Sequence, residues 1–298
     1  MAGPDTPSQI FDRPLMRRRR ARALENPRFP DFLHQAALRE IADRLDMTLH
    51  SFEHAAVLGA AAVPLARALA DSGKFGRIIA ADSAPLGPAG PVDIVLDEEA
   101  LPFAPASLDA VISGPGLEFV NDLPGTLAQI SRALRPDGLF LAVLFGCDTL
   151  SELRASWFEA ETEIEGGVSP RVAPFADVRE LGGLLQRANL ALPVADVDRL
   201  TVRYPNGLAV MAELKAMGLA NALTARRRRP VTRALLARAA AVYEEKFSDP
   251  DGRVRATFEL VTLTAWAPAE TQQKPLKPGS AKSRLADALG TTEHKLKR

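Results

Sequence analysis

Residues 55–63 read Ala55-Ala56-Val57-Leu58-Gly59-Ala60-Ala61-Ala62-Val63 and run directly into Pro64-Leu65-Ala66-Arg67-Ala68-Leu69. The segment up to Leu58 is apolar without alternation, as suits a strand covered on both faces, and Pro64 fits the first turn of a helix. Gly59 marks the turn between them. Four further apolar runs follow at 77–81, 94–96, 110–113 and 139–145, with helical periodicity over 64–72 and 123–134. Short buried strands alternating with helices predict an α/β fold, a Rossmann-like doubly wound sheet. Ligands of such sheets sit beyond the carboxyl ends of the strands, where Gly59, Asp82, Asp97 and Ser113 fall.

Working outward, Phe32, Leu33, Ala36, Ala37, Ile41 and Leu45 recur at helical spacing, so 31–50 contains a helix that covers the core. Residues 151–190 read as helices interrupted by Gly166-Gly167-Val168-Ser169-Pro170. Segments 196–204 and 256–266 alternate as antiparallel strands do, extending the sheet at one edge, with mostly helical sequence between them. Residues 1–30 form a basic N-terminal arm carrying Arg13, Arg17, Arg18, Arg19, Arg20 and Arg22. Such an arm suits a solvated segment or a basic helix face closing against acidic partners, ahead of nucleic-acid binding, for which aromatic residues would be interleaved with the arginines. Beyond Pro268 the composition turns to Lys, Pro, Gln, Ser and Thr, which predicts a disordered basic tail over 268–298, its stretch 281–289 becoming helical on a partner. The α/β domain itself spans 31–267.

Across 298 residues, 37 basic side chains balance 37 acidic ones and 47% of residues are apolar. That balance argues against a surface that generally coats nucleic acid or membrane. No apolar run reaches the roughly 18 residues of a membrane span, and no hydrophobic signal core follows the N-terminal charges, so the expectation is a cytoplasmic protein. The single Cys147 excludes an internal disulfide and a multi-cysteine zinc site. His50 and His54 stand four apart without a third ligand, and no metal is assigned. The run Arg226-Arg227-Arg228-Arg229 suits a solvated loop, or a contact with phosphate or an acidic protein.

Asp82 closes the second strand, where a carboxylate can accept two hydrogen bonds from a ribose diol; a turn or helix cap is the alternative use. Asp97, Glu98 and Glu99 follow the third strand. A carboxylate there can take a purine amino proton, with Leu101 and Phe103 packing nearby, or form a solvated acidic turn. Ser113 begins a compact rim through Gly114, Pro115 and Gly116, whose one ionisable group is Glu118. Glu118 reads as an exposed loop glutamate, able to act as a general base only if burial raises its pKa. Asp109 reads as structural and Cys147 as a small core thiol.

Three stretches carry a resemblance: Leu96-Asp97-Glu98-Glu99-Ala100-Leu101-Pro102-Phe103, Leu108-Asp109-Ala110-Val111-Ile112-Ser113 and Leu134-Arg135-Pro136-Asp137-Gly138. In that order and spacing they resemble class I S-adenosylmethionine-dependent methyltransferases. Phe11-Asp12-Arg13, Phe119-Val120-Asn121-Asp122-Leu123-Pro124, the stretch from Gly146 to Arg154 and Glu165-Gly166-Gly167-Val168-Ser169-Pro170 are similar to the mitochondrial complex I assembly factor five family and its bacterial relatives. That family in turn resembles the malonyl-carrier-protein methyltransferase of biotin synthesis. The resemblance implies a seven-stranded sheet with an antiparallel last strand and S-adenosylmethionine as cofactor. It places Gly59 in the methionine loop, Asp82 at the ribose and Asp97 with Glu98 at the adenine, with Ser113 on the rim already read where a substrate would meet the cofactor. It also implies a protein substrate or respiratory-complex subunit as partner.

One departure stands out. The family's first motif is an acidic residue followed by Leu-Gly-Cys-Gly-x-Gly, whereas this chain has Val57-Leu58-Gly59-Ala60-Ala61-Ala62-Val63. A carboxylate and two glycines are missing, and Val63 puts a side chain where the ligand would approach the backbone. Each lost charge-assisted hydrogen bond is worth about 1.5–3 kcal/mol. The resemblance therefore implies three readings: methyl transfer with a weakened cofactor, a non-catalytic assembly factor, or hydroxylation of a protein arginine, the activity associated with the human family member. No catalytic residue is assigned.

Overall fold

The basic arm is helical. Asp12 accepts the Leu15 N–H at 3.1 Å, a proline stands in the first turn, and α1 runs Arg13–Leu24. Residues 9–26, 28–59, 62–87, 90–273, 280, 285–288 and 290–292 are described by the computed structural model of the chain. Helix α2 (Phe32–Asp46) buries Leu33, Ala36, Ala37, Ile41 and Leu45, the stripe its spacing predicts.

The α/β core follows as β1 (Phe52–Leu58), α3 (Ala62–Asp71), β2 (Phe75–Asp82), the short pair β3 (Leu86–Gly87) and β4 (Gly90–Pro91), β5 (Ile94–Val95) and β6 (Leu108–Ser113). A 3-10 turn at Leu117–Phe119 leads to α4 (Leu123–Ala133), β7 (Leu134–Phe145), α5 (Ser151–Glu165) and α6 (Val178–Arg187). The chain then forms β8 (Ala191–Tyr204), α7 (Gly207–Ala216), α8 (Arg233–Phe247) and β9 (Val254–Trp266). Residues 269–298 form a separate unit containing the four-residue helix α9 (Leu285–Ala288), which lies inside the stretch expected to be helix-prone. Residues 281–284 and 289 of that stretch lie outside the described residues.

Seven strands order as β5-β2-β1-β6-β7-β9-β8. Pairs from β5 to β7 are parallel, and β9 runs antiparallel to both its neighbours. This is the doubly wound sheet expected, with its antiparallel strand. Its two faces carry separate cores, one under α2, α3, α5, α7 and α8, the other under α4 and α6. Phe140 of β7 and Tyr243 of α8 are fully buried on opposite sides. Among the described residues no helix is long and apolar enough to cross a membrane.

Most strands begin two or three residues before their patterns indicate, and two begin five residues early. In β7 the turn-like Arg135-Pro136-Asp137-Gly138 lies within the strand, with Leu134 already paired to Leu108 and Asp137 at φ 64°. In β8 a bulge between Ala191 and Val194, with Leu192 at φ 51°, interrupts the alternation that would have marked the strand from Ala191. The β3–β4 pair carries too few residues to show a pattern.

Phe140→Ala removes a ring at the centre of one core. We expect an unfolding free energy lower by about 3–5 kcal/mol in denaturant titrations, and a loss under 1 kcal/mol would contradict this assignment of the core.

Candidate functional site

Strands β1, β2 and β6 end side by side at Gly59, Asp82 and Ser113. Gly59 has φ +93°, and a Cβ there would stand 3.4 Å from the Pro115 carbonyl and 3.5 Å from that of Gly114. The distances leave room for a Cβ; it is the backbone conformation that calls for glycine. Ser113 is buried and donates to the Gly114 carbonyl at 2.9 Å, holding the rim against β1. Val63 is buried in the core with Ala62 and Leu65, so its side chain is spent on packing. Ala60 and Ala61 lie outside the described residues.

Asp82 is fully buried. Its Oδ1 accepts the Ser83 N–H at 2.6 Å and its Oδ2 takes the Arg20 guanidinium. Burial pushes this carboxyl above its ordinary pKa, while Arg20 pulls the other way. Asp97 accepts Arg13 Nη2 at 2.6 Å, Arg17 Nη2, and the Glu99 N–H at 3.0 Å. Burial works upward there too, but the Glu99 N–H and the two guanidiniums outweigh it and hold the carboxyl below the usual range. Glu98, 4% exposed, shares Arg13 Nη2 with Asp97.

Arg13, Arg17 and Arg20 stand at i, i+4 and i+7, a single face of α1. The helix is fastened behind them: Arg19 donates to the carbonyls of Ala220 and Asn221 at 2.8 and 2.6 Å, the Asp12 N–H to Ala222 at 2.8 Å, and Asp12 pairs with Arg226 at 3.0 Å. Of the uses open to the arm, the basic face closing on acidic partners is the one adopted, and the partners belong to this chain. Arg226 and Arg227, the latter paired with Glu165, are likewise structural.

With α1 in place the cleft retains a cavity of about 90 Å³, lined by Arg13, Arg17, Arg20, His34, Glu98 and the Gly116 rim among others. Of the five residues singled out for the cofactor, Glu98 alone faces it; Asp82 and Asp97 are covered by guanidiniums, and Gly59 and Ser113 form the floor behind the rim. The Nε atoms of Arg13, Arg17 and Arg20 are buried without a hydrogen-bond partner. Burial and the nearby Arg20 lower the His34 pKa to about 4, so its ring is neutral in the cleft at pH 7.

Residues 58–142 match the family model described as a methyltransferase domain. Arginine-hydroxylase NDUFAF5 of Danio rerio is 36% identical over 287 residues, covering 93% of this chain and 89% of its own length. The chain belongs to the NDUFAF5 family. Malonyl-[acyl-carrier protein] O-methyltransferase of Laribacter hongkongensis is 39% identical over 189 residues, 63% of this chain and 61% of that protein. The YcgJ protein of Bacillus subtilis superposes with a TM-score of 0.52 at 14% identity, covering 79% of this chain and all of that one, and shows the shared fold alone.

In this family member the structure corrects two sequence expectations. Glu118 is 9% exposed, its Oε2 accepts the Gly116 N–H at 2.7 Å, and its Oε1 is buried with no partner. Burial raises its pKa from 4.5 to about 7. Its position next to an apolar Leu117 and Phe119 was the available signal; the tight 3-10 turn that swings it inward was not visible in the sequence. Cys147 is only half buried, with its Sγ 3.8 Å from Glu259 Oε1 and near Asp148; burial and these two carboxylates raise its pKa. It is no core thiol. Asp109, paired with Arg135 at 2.8 Å and with the His54 N–H at 2.8 Å, is structural as read.

Because folding raises the Glu118 pKa, the unfolded chain holds fewer protons between pH 4.5 and about 7, and stability falls as pH rises through that window. Glu118→Gln keeps an acceptor for Gly116 and removes the titration. Its melting temperature is expected to match wild type at pH 4.5 and exceed it at pH 8, by up to about 3 kcal/mol of stability; equal melting at both pH values would contradict the buried carboxyl.

Proposed function

We propose that this NDUFAF5-family protein handles a protein partner during respiratory complex I assembly, as a cytoplasmic factor whose adenosyl cleft is shut by its own arginine helix. The observation that carries the reading is the pairing of Arg13, Arg17 and Arg20 with Asp97, Glu98 and Asp82. S-adenosylmethionine does not fit the residues so arranged. Small-molecule pockets run from about 300 to 1,000 Å³, against the 90 Å³ left here. The carboxylate suited to a ribose diol already holds Arg20. A sulfonium and an ammonium group would meet three guanidiniums, with Val57 standing where the family's acidic residue would be. No reaction step is derived through that cofactor.

A second reading keeps adenosyl chemistry and rests on the convergence of Asp82, Asp97 and Glu98 beside one cleft. If α1 swings away, the three carboxylates face a common ligand, and catalysis would consist mainly of positioning a nucleophile in line with the transferred group.

Calorimetry with S-adenosylhomocysteine separates these readings. Wild type should bind with a Kd of millimolar or weaker, and Arg13→Gln/Arg17→Gln/Arg20→Gln at least tenfold more tightly; a micromolar Kd for wild type would favour the second reading. Mass spectrometry of complex I subunits from a deletion strain then reads the chemistry. Failed assembly with unchanged subunit masses supports partner handling, loss of one oxygen's mass indicates hydroxylation, and loss of one CH2 indicates methylation.

A further inference from the structure

A second cavity, of about 320 Å³, lies between α5, α7, α8 and the ends of β7 and β9. Its wall is aromatic and aliphatic. Phe119 and Phe175 meet edge to face with centroids 5.6 Å apart, and Phe145 and Phe258 continue the ring surface at 6.5 Å. Leu153, Met211 and Leu214 add aliphatic wall. The lining residues include no aspartate or glutamate; their only charges are Arg171 and Lys215.

Those two cations differ in availability. Arg171 gives Nε and Nη2 to the fully buried Glu161, with Nε at 2.8 Å from Oε1, and lies over Trp157 at 4.7 Å. Lys215 is exposed and has no ion pair among the described residues. At the opening, Val231 and Leu236 line the cavity while remaining 41% and 36% exposed. Arg228, Arg229 and Arg233, all within three residues of Val231, are exposed, and none has an ion pair among the described residues. An apolar interior thus opens beside unpaired positive charge.

This polarity selects the ligand. A cationic side chain entering the cavity could gain from an aromatic face, but would lose more in hydration with no carboxylate to offset it, and would meet Arg171 and Lys215. An apolar chain loses nothing comparable, and a negative head left near the opening meets Lys215 and the arginines in partial solvent. At a liquid-water share of about 30 Å³ per molecule, the cavity is worth roughly ten water-sized units, comparable to a chain of about ten carbons.

We propose that this cavity binds a single-chain anionic amphiphile, its aliphatic tail among the rings and its carboxylate or phosphate head against Lys215 and the arginines before α8. The inference does not depend on adenosyl chemistry or on assembly work. The site adjoins the arginine cleft across Met16, Phe119, Phe145, Gly218 and Leu219, which line both.

The test uses the full chain and a charge series sharing one tail: dodecanoate, dodecanol and dodecylammonium, measured by calorimetry below their micelle concentrations. Dodecanoate should bind at least tenfold more tightly than dodecylammonium. Met211→Trp, which fills the cavity, should abolish binding with the melting temperature kept within a few degrees. Lys215→Glu/Arg229→Glu, confined to exposed positions, should erase the preference for the anion without altering the fold. Equal or better binding of the ammonium, no dodecanoate binding, or a charge-reversed variant that keeps the preference would each overturn the proposal. Sedimentation with phosphatidylglycerol vesicles identifies the source of the head group. Vesicle binding lost in Met211→Trp points to a membrane lipid, and dodecanoate binding without vesicle binding to a soluble acyl chain. Vesicle binding that Met211→Trp leaves intact, without dodecanoate binding, would reduce the site to surface attraction and overturn the cavity.

Discussion

Three guanidiniums on one helix face hold three carboxylates at the ends of a parallel sheet, and the arrangement of the whole carboxyl-end surface follows from that contact. Asp82 and Glu98 are buried acids, and an unpaired buried charge costs several kcal/mol. Arg20 and Arg13 supply the compensation. The dependence runs both ways. Ala23 is the one buried residue of α1, so apolar packing contributes little to docking the helix, and ionic and backbone contacts must hold it. A helix that is polar on nearly every side is held here because the arginines of its inward face are matched.

The turn after β1 is also set by the fold. Gly59 is kept by its positive φ, a demand of the fold. The following positions answer to packing: Ala62 and Val63 begin α3 and bury their side chains in the core. A turn that still had to cradle a ligand would be expected to favour small residues and a nearby carboxylate. Ala62 and Val63 instead spend their side chains inward, while the cleft beyond Gly59 is lined by arginine.

Much of this architecture was legible in the sequence because buried parallel strands announce themselves as unbroken apolar runs, and α2 shows its stripe at Leu33, Ala37, Ile41 and Leu45. The three cleft carboxylates were legible from their places at strand ends. Their occupants were only half legible. The i, i+4, i+7 spacing of Arg13, Arg17 and Arg20 describes a basic face, but nothing local says that the face folds back over residues that lie 62 to 85 positions away. Glu118 was hidden for a related reason: a short turn reverses its direction, and its neighbours in sequence do not reveal the burial it meets in space. The large apolar cavity draws on residues from Phe11 to Phe258 and has no signature in any single segment.

Two adjoining hollows therefore divide the strand-end surface, one filled by the protein's own cations and one apolar and open beside unpaired positive charge. The first gives the molecule its closed form, and that form rests on the Arg20–Asp82 contact at its deepest point. A double-mutant cycle of Arg20→Gln and Asp82→Asn on unfolding free energy measures that contact with no ligand present. A closed arginine helix predicts a coupling of about 2–3 kcal/mol; additivity within about 0.5 kcal/mol would mean that α1 does not hold the cleft, and would contradict the account.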